Sequence, residues 1–297
     1  MLPGKTWDHA VERWLHEQSH KASIRSDQSI IGWLNTHLSG VPLSDIDRSV
    51  VAAIHHKKLA TGVANATVNR TLALLRAILL RAVHDWEWLD STPKVRLLRE
   101  PIRRIRYLTH AQAIRLLSEL PEHLSDMATF SLATGLRKSN VTGLEWSQVD
   151  IRHNQAWIHA DQAKAKKAIA VPLNLDAVRV LTKRIGLHQR YVFSYKGRRI
   201  EKVSTAAWYK ALKRAGISDF RWHDLRHTWA SWHVQNGTPL YVVQELGGWE
   251  SYEMVRRYAH LSAAHLKIFA DNLSPLIKPS ALIATSSAGL ENSLSIS

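Results

Sequence analysis

HDLRHTWAS, residues 223–231, has helical periodicity that sorts its residues onto two faces. His223 and Arg226 lie three residues apart and share one face, with His227 next to it. The apolar residues of the stretch lie four apart and suit a core: Leu225 and Trp229. A buried, hydrogen-bonded histidine is the ordinary interpretation of such a pattern. Two histidines and an arginine together in a very basic chain favour a functional site instead.

The composition indicates a folded protein that binds nucleic acid. Lys and Arg total 40 of the 297 residues against 25 Asp and Glu, which gives a formal net charge of +15. A surplus this large implies a polyanionic partner, nucleic acid or an anionic membrane surface. The basic residues alternate with tryptophans and leucines inside periodic segments, which favours a folded DNA- or RNA-binding protein over a basic disordered arm.

Several classes of protein are excluded by what the sequence lacks. Without cysteine there is no disulfide, thiol catalysis or cysteine-ligated zinc. No apolar run approaches ~18 residues, so no membrane partner or spanning helix is expected. The first residues lack a signal peptide, so we expect a cytoplasmic protein. His16 and His20 lie one helical turn apart without a third ligand nearby, and we predict no metal and no cofactor.

The first 90 residues are predicted to form a domain of four helices. Apolar residues recur there at helical spacing in four stretches, and Asn65 and Thr67 are candidate caps of the fourth. The segment that follows, STPKVRLLREPIRRIRY at 91–107, contains two prolines and six basic residues. We predict either a solvated linker or a segment that lies along a phosphate backbone. Its DNA-binding candidates are Arg103, Arg104 and Arg106.

A second domain, mainly helical with a small β-sheet, is predicted over residues 108–278. Thr109 and Gln112 form a capping box at its first helix. The next helix stops at Gly135, and Ser139 is a candidate cap for a short helix that reaches about Trp146.

A β-hairpin is predicted in the middle of the second domain. QAWIHA (155–160) and AIAVPL (168–173) have strand-like patterns around a lysine-rich turn. The later segments have helical periodicity: 174–184, 205–216, 222–237, 239–248, 251–260 and 263–273. The tail from residue 279 to 297 is rich in Ser, Ala and Leu and is expected to be disordered.

Further residues suited to phosphate chemistry lie in three other stretches. TGLRKSN (134–140) places Arg137 just past a helix stop, where it can point into a cleft. LGGW (246–249) and RRYAH (256–260) place a tryptophan nine residues before a tyrosine. The turn of the hairpin carries Lys164, Lys166 and Lys167. Taken alone, these residues would be interpreted as a solvated turn, a core tryptophan and a half-buried tyrosine.

Taken in order, these motifs resemble those of the tyrosine recombinases, specifically the phage-type integrases. The resemblance covers residues 108–273, with a fainter match of the N-terminal helices to the core-DNA-binding domain of that family. TGLRKSN resembles its first arginine motif, HDLRHTWAS its second, and RRYAH its nucleophile motif. LGGW stands where the family has a histidine or tryptophan. Lys164 lies eight residues before Pro172, as the hairpin lysine of the family does before its own valine–proline.

The resemblance implies an all-helical core-binding domain followed by a mixed α/β catalytic domain. It also implies a site-specific recombinase that cleaves and rejoins DNA through a 3′-phosphotyrosine, integrating or excising phage-type DNA without metal or ATP. The catalytic residues would be Arg137, Lys164, His223, Arg226, Trp249 and Tyr258. Lys166 and Lys167 would contact DNA, and Asn140 and His227 would support the site.

The residue types suit the roles that the resemblance implies. Tyr258 would attack the phosphate, and Lys164 would protonate the leaving 5′ oxygen. Arg137 and Arg226 would each fork the non-bridging oxygens, because a guanidinium is planar and always charged. His223 would either take the tyrosine proton or orient the phosphate. The indole of the tryptophan in LGGW would donate its N–H and pack against the nucleophile helix.

The chain departs from the family pattern in two places. Asn140 stands where the family often has an acidic residue, and an amide can hold hydrogen bonds but cannot act as a carboxylate. Many phage integrases carry a small N-terminal β domain for distal arm sites, and nothing before Trp7 has room for one. The sequence therefore predicts an arm-less or a truncated member.

The partners follow from the same resemblance. We expect double-stranded DNA recombination sites, clamped between the two domains, and a homo-tetramer on paired sites. Residues 263–278 are the candidate segment for donation to a neighbouring subunit. Excision factors or host DNA-bending factors would be further partners.

Three other functions remain open at the level of sequence. A type IB topoisomerase-like enzyme would use the same residues without pairing sites. A non-catalytic remnant of an integrase would bind DNA without forming an adduct. A metal-dependent nuclease or transposase would need clustered carboxylates, and the second domain has no convincing acidic cluster.

Overall fold

The computed structural model describes residues 4–101, 105–163 and 167–262. Within them the chain is mainly helical with a small antiparallel sheet, which is the fold class that the sequence predicted. The chain divides into two units, Met1–Arg103 and Arg104–Ser297. No helix in these described ranges is long and apolar enough to cross a membrane.

Four helices form the N-terminal unit: α1 (Trp7–Glu17), α2 (Ile24–Leu38), α3 (Arg48–Ala60) and α4 (Asn65–His84). Their apolar stripes converge on one core, in which Trp7 of α1, Leu34 of α2 and Leu75 of α4 are fully buried. Asp47 caps α3, because its carboxylate accepts hydrogen bonds from the backbone N–H groups of residues 49 and 50.

The expected cap of α4 is wrong. Ala64 occupies the N-cap position, and Asn65 is already the first helical residue. The Asn65 amide instead donates to the carbonyl oxygen of Arg99 at 2.9 Å. One turn later Asn69 exchanges two hydrogen bonds with the backbone of Leu98, at 2.8 and 2.9 Å. Two asparagine amides thus hold the first half of the basic 91–107 segment against α4.

The C-terminal unit opens with α5 (His110–Glu119) and α6 (Glu122–Thr134). The predicted capping box is present, since Thr109 accepts from the Gln112 backbone at 3.2 Å and the Gln112 side chain accepts from the Thr109 backbone at 3.0 Å. The predicted stop of α6 is also present, because Gly135 adopts a left-handed conformation with φ +64°.

The short helix that follows differs from the prediction. α7 spans Lys138–Thr142 and is preceded by Arg137 at its N-cap position. Ser139 lies inside this helix, so it is not the cap. Thr142 ends the helix well before Trp146, which begins a 3-10 turn.

A three-stranded antiparallel sheet has the order β1 (Val149–Asp150), β2 (Gln155–Ile158), β3 (Ile169–Pro172). The predicted hairpin is β2–β3, in which Trp157 pairs with Ala170. Strand β1 was not predicted. A second hairpin, β4 (Ser194–Tyr195) and β5 (Arg198–Arg199), was not predicted either.

The remaining helices are α8 (Leu175–Arg184), α9 (Ala206–Arg214), α10 (Asp224–Gln235), α11 (Leu240–Gly247) and α12 (Glu253–Arg256). The prediction of one helix over 251–260 is wrong. The α12 helix ends at Arg256, and a 3-10 turn spans Ala259–Ser262. Tyr258 therefore lies in the break between the two elements. The predicted helix at 263–273, the candidate exchange segment and the tail lie outside the described residues.

The packing of the C-terminal unit creates a separate small core near its end. α6 packs against both α8 and α10 and contributes Phe130 and Met127 to the main core. Where α10, α11 and α12 meet, a second cluster forms around Trp229, Val255 and Tyr258. Among the candidate site residues, Tyr258 belongs to this second cluster and Trp249 packs against it.

A buried ion pair holds the start of the β4–β5 hairpin. Arg184 binds Asp126 at 3.1 Å and donates to the carbonyl oxygens of Val192 and Ser194. Arg199 of β5 then donates to the carbonyl oxygen of Thr142, at the end of α7. The hairpin thereby anchors the helix that follows Arg137.

Candidate active site

Arg137 reaches the site because α6 ends in a left-handed glycine. The sharp turn at Gly135 is followed by an extended residue, Arg137, at the start of α7. Its Nη2 donates to the carbonyl oxygen of Gly248 at 3.2 Å. Its Nη1 is buried and has no hydrogen-bond partner among the described residues. Burial lowers the pKa of Arg137. The free N–H groups of this guanidinium are available to an anion.

Arg226 is held rigidly in the second core. Only 4% of its surface is exposed. Nη1 donates to the carbonyl oxygen of Gly135 at 2.6 Å, and Nη2 to that of Gly247 at 2.7 Å. Burial, followed by the positive charge of Arg137, lowers the pKa of Arg226 to about 9. Each terminal nitrogen still has a second hydrogen to offer a negatively charged ligand.

The glycines that accept these bonds have no space for a side chain. A Cβ at Gly135 would overlap the ring of Trp229, and a Cβ at Gly247 would overlap the ring of Trp249. The two arginines therefore converge on one short turn, since Arg226 binds the carbonyl of Gly247 and Arg137 that of its neighbour. The sequence patterns did not predict that glycine carbonyls hold the two arginines. The pair of glycines inside LGGW was the signal that could have indicated it.

Trp249 links the arginine to the tyrosine. The guanidinium carbon of Arg226 lies 3.8 Å from the centroid of a Trp249 ring. The ring centroids of Trp249 and Tyr258 are 6.1 Å apart. The indole thus contacts both the cation and the phenol ring. A cation–π contact of this kind is strongest where water is excluded.

Tyr258 is fully buried, and its hydroxyl points at His227. The distance from Tyr258 Oη to His227 Nδ1 is 2.5 Å. Burial raises the pKa of Tyr258 to about 12, although the charges of Arg257 and Arg226 act in the opposite direction. The phenol is therefore neutral at physiological pH. A neutral phenol needs a proton acceptor before it can become a nucleophile.

His223 and His227 differ in their surroundings. His223 precedes α10 and is exposed, whereas His227 is half-buried. Their rings meet edge to face with centroids 5.1 Å apart. Burial, followed by the charges of His223, Arg257 and Arg226, lowers the pKa of His227 to about 4. The pKa of His223 is also lowered, first by partial loss of solvent and next by Arg226.

Asn140 connects α7 to the hairpin turn. Its amide nitrogen donates to the carbonyl oxygen of Gln162 at 3.0 Å, and its buried Oδ1 has no partner in the part of the chain that the structure describes. Gln162 is also bound by the side chain of Gln148 at 2.7 Å. These amides fix the chain two residues before Lys164. Lys164 and Lys166 lie outside the described residues.

The other DNA-binding candidates are placed differently. Lys167 is exposed and lines a groove of about 620 Å³ together with Gly248 and Trp249. Arg106 donates to the carbonyl oxygens of Tyr107 and Ser218, at 3.2 and 3.4 Å. Arg103 and Arg104 lie outside the described residues. Among the residues that the structure does describe, no group of three or more His, Cys, Asp or Glu side chains could hold a metal ion.

The described arrangement combines a buried phenol, a neutral imidazole and two guanidinium groups within one small region. Guanidinium groups stabilise a phosphorane, and a phenol can attack phosphorus once its proton is removed. Three sequence motifs supply these groups: TGLRKSN, HDLRHTWAS and RRYAH. The arrangement suits phosphoryl transfer without a metal ion.

Comparison with known proteins agrees with this chemistry. The model of the phage integrase family matches residues 106–265. The integrase of Salmonella phage P22 is 41% identical over an alignment 303 positions long, which covers 89% of this chain and 78% of that protein.

Two solved structures are similar in fold. The Tn1549 transposon integrase in complex with a circular intermediate DNA has a TM-score of 0.74 at 16% identity and covers 89% of this chain and 99% of that chain. A λ integrase tetramer bound to a Holliday junction has a TM-score of 0.73 at 20% identity and covers 88% of this chain and 79% of that chain.

Proposed function

Because the chain belongs to the phage integrase family and is a site-specific tyrosine recombinase, we propose that Tyr258 is its nucleophile. Tyr258 attacks the scissile phosphate and forms a 3′-phosphotyrosine. One observation carries this assignment. The Tyr258 hydroxyl lies in the small core where Arg226, His227 and Trp249 meet, with Arg137 bound to the adjacent glycine turn.

The proposed cleavage step exchanges one phosphodiester for another. A bond forms between Tyr258 Oη and phosphorus, and the bond from phosphorus to the 5′ oxygen breaks. The tyrosine proton passes to a base, and the 5′ oxygen receives a proton from an acid. Religation reverses these transfers. Because the phosphotyrosine conserves the energy of the broken bond, no ATP is needed.

The two arginines are proposed to hold the phosphate. Arg137 offers N–H groups that the described residues leave free, and Arg226 offers the second hydrogens of nitrogens already fixed by glycine carbonyls. Such preorganised donors stabilise the phosphorane without moving during the reaction. His223, which is exposed beside them, is proposed to contact a non-bridging oxygen.

Lys164 is proposed as the general acid on the strength of its place in the hairpin motif. The Asn140–Gln162 hydrogen bond supports this, since it fixes the chain shortly before Lys164. Lys166 and Lys167 are proposed to contact DNA. Lys164→Ala should lose cleavage of an ordinary duplex and regain it when a 5′-bridging sulfur replaces the leaving oxygen, because a thiolate needs no proton to leave. Lys166→Ala is the matched control.

The substrates and assembly are also proposals. The λ integrase tetramer on a Holliday junction and dimer on a core site support a tetramer of this chain on paired double-stranded DNA sites. Residues 1–90 would bind core DNA, residues 108–278 would carry the catalysis, and accessory excision or host DNA-bending factors would assist. A recombinase acting on such DNA would work in the bacterial cytoplasm.

Recombination between two sites tests the proposal. Selection of bound duplexes from a random library supplies a site, and two copies are placed in a plasmid. In EDTA the wild type should delete the intervening DNA, and Tyr258→Phe should bind the site with equal affinity but delete nothing. Deletion by Tyr258→Phe would refute the nucleophile assignment.

A further inference from the structure

The two histidines of HDLRHTWAS have different relations to the nucleophile. Nδ1 of His227 lies 2.5 Å from the hydroxyl oxygen of Tyr258. His223 instead meets the edge of the His227 ring, with ring centroids 5.1 Å apart. His223 is exposed before α10, whereas His227 lies one residue after Arg226 and is half-buried beside the phenol. The residue that contacts the attacking oxygen is therefore His227.

We propose that His227, rather than His223, holds the hydroxyl of Tyr258 and accepts its proton during attack. This inference rests on the proposed role of Tyr258 as nucleophile. It assigns His227 a direct part in the reaction, beyond the supporting role expected from its position in the motif. His223 is left free to contact the phosphate.

The ring of His227 is suited to accept a proton at Nδ1. The hydroxyl can donate to Nδ1 only when that nitrogen is unprotonated, which in a neutral ring places the proton on Nε2. The pKa of about 4 means that the ring is neutral at physiological pH, so its lone pair is available. The short O···N distance places the donor and acceptor within range for direct transfer, without an intervening water.

The charges around His227 explain how a weak base in the free protein becomes a better one with DNA. After burial, its pKa is lowered by the positive charges of His223, Arg257 and Arg226. The Tyr258 phenol also faces His227, and the charge of Asp224 acts on that phenol. A bound phosphate, and still more a phosphorane, brings negative charge to the same cations. Its field opposes theirs and raises the pKa of His227 as the tyrosine oxygen bonds to phosphorus.

The proton then follows a closed path. During cleavage the proton leaves Tyr258 Oη for His227 Nδ1, the oxygen–phosphorus bond forms, and the 5′ oxygen departs with a proton from the general acid. During religation the 5′ hydroxyl attacks, the tyrosine oxygen leaves, and the His227 imidazolium returns its proton. No oxidant, metal or further reactant is required.

The decisive variant keeps the hydrogen bond and removes the base. In His227→Asn the amide oxygen can replace Nδ1 as acceptor, but an amide does not take up a proton. We expect single-turnover cleavage of a selected-site suicide duplex to fall about 10²–10⁴-fold at pH 7. The variant's rate should rise about tenfold per pH unit, as hydroxide replaces the lost base. The wild-type rate should change little between pH 6.5 and 8.5.

Two comparisons separate this role from other causes of inactivity. The His227→Asn defect should persist on a duplex with a 5′-bridging sulfur, because that sulfur replaces the need for an acid and not for a base. His223→Asn, the matched control on the same motif, should show a loss that does not vary with pH. Thermal unfolding measured at pH 7 should show that both variants are folded at the temperature of the cleavage assay.

A measurement without DNA tests the same claim directly. ¹⁵N chemical shifts of His227 in the full chain should report the neutral Nε2–H tautomer with Nδ1 unprotonated. A proton on Nδ1, His227→Asn cleavage within threefold of the wild type, or a defect equal at every pH would each overturn the proposal. Cleavage by Tyr258→Phe is a separate result, which would overturn the nucleophile assignment while the ¹⁵N shifts still decide the state of His227.

Discussion

The guanidinium of Arg226 lies over the ring of Trp249, with 3.8 Å between the guanidinium carbon and the ring centroid. The same guanidinium donates to the carbonyl oxygens of Gly135 and Gly247. Its position is thus fixed by one aromatic face and two backbone acceptors. A phosphate ligand meets a cation that is already oriented, which is the condition for strong electrostatic stabilisation of a transition state.

Replacing the indole tests this stacking. Trp249→Ala removes a desolvated cation–π contact worth about 2 kcal/mol, so cleavage should slow about 30-fold. Trp249→Phe keeps an aromatic face and should retain most of the rate. Single-turnover cleavage of a suicide duplex measures both variants. A Trp249→Ala enzyme as fast as the wild type would show that the stack does not position Arg226.

Lysine substitutions at the two arginines should have different effects on the cleavage rate and on the free energy of unfolding. Arg226→Lys keeps a charge but cannot donate to both Gly135 and Gly247, and an unsatisfied buried carbonyl costs about 1–3 kcal/mol. Both the free energy of unfolding and the cleavage rate should fall. Arg137→Lys loses one longer bond, at 3.2 Å, so its rate should fall with little change in stability. Urea denaturation and cleavage assays on both variants test this contrast.

Gly247 should be intolerant of even one added methyl group. The Cβ of Gly247→Ala would overlap the ring of Trp249, so the indole must move away from Arg226. Cleavage per folded molecule should fall at least tenfold by the stacking argument. Gly186→Ala is the control in the same unit, since Gly186 has a positive φ of +81° but open space around it. Its strain of about 1 kcal/mol should lower stability and leave the cleavage rate unchanged.

Stability should fall between about pH 6.5 and 4 because His227 is buried as a neutral ring. Its pKa is lowered from 6.5 to about 4, so the unfolded chain binds more protons in this window. The contribution of His227 to the free energy of unfolding is complete above pH 6.5 and is lost as the pH falls toward 4. A difference of 2.5 pKa units corresponds to at most about 3 kcal/mol. His223 and His233 contribute in the same direction.

His227→Asn provides the comparison for this pH effect. Its free energy of unfolding should fall less than that of the wild type between pH 7 and pH 5, because one histidine with a lowered pKa is gone. Urea denaturation at the two pH values gives the difference. An equal fall in both proteins would place the pH dependence elsewhere.

Much of the fold follows from local sequence signals. The capping box of Thr109 and Gln112, the left-handed stop at Gly135 and the β2–β3 hairpin are all present where they were predicted. These features depend on residues within a few positions of one another, which is why sequence patterns reveal them. The family identified from the ordered motifs is confirmed by the comparisons.

Other features depend on distant contacts that no local pattern contains. The β4–β5 hairpin has two residues in each strand and is held by Arg184, which also binds Asp126. Asn65 is used to bind the backbone of Arg99 and not as a cap. The helix predicted at 251–260 breaks before Tyr258, whose ring is buried against α10 and Trp249. In each case a tertiary contact overrides the local preference.

In the candidate site, too, local sequence patterns predicted some features, and contacts between distant residues determine the others. The motifs predicted the residue types, and the structure brings Arg137, Arg226, Trp249 and Tyr258 together. The glycine carbonyls that hold the arginines were not predicted, because their partners lie far away in the chain. The contact between His227 and the tyrosine was not predicted either, since spacing alone cannot show which of two histidines points inward.

Mapping the covalent adduct is the most direct test of the central claim. The protein is trapped on a suicide duplex in EDTA, digested with nuclease and trypsin, and sequenced by mass spectrometry. We predict a 3′-nucleotide on Tyr258, the first residue of the tryptic peptide YAHLSAAHLK that follows Arg257. A nucleotide on another residue, or cleavage in EDTA without any adduct, would contradict the assignment of Tyr258 as the nucleophile.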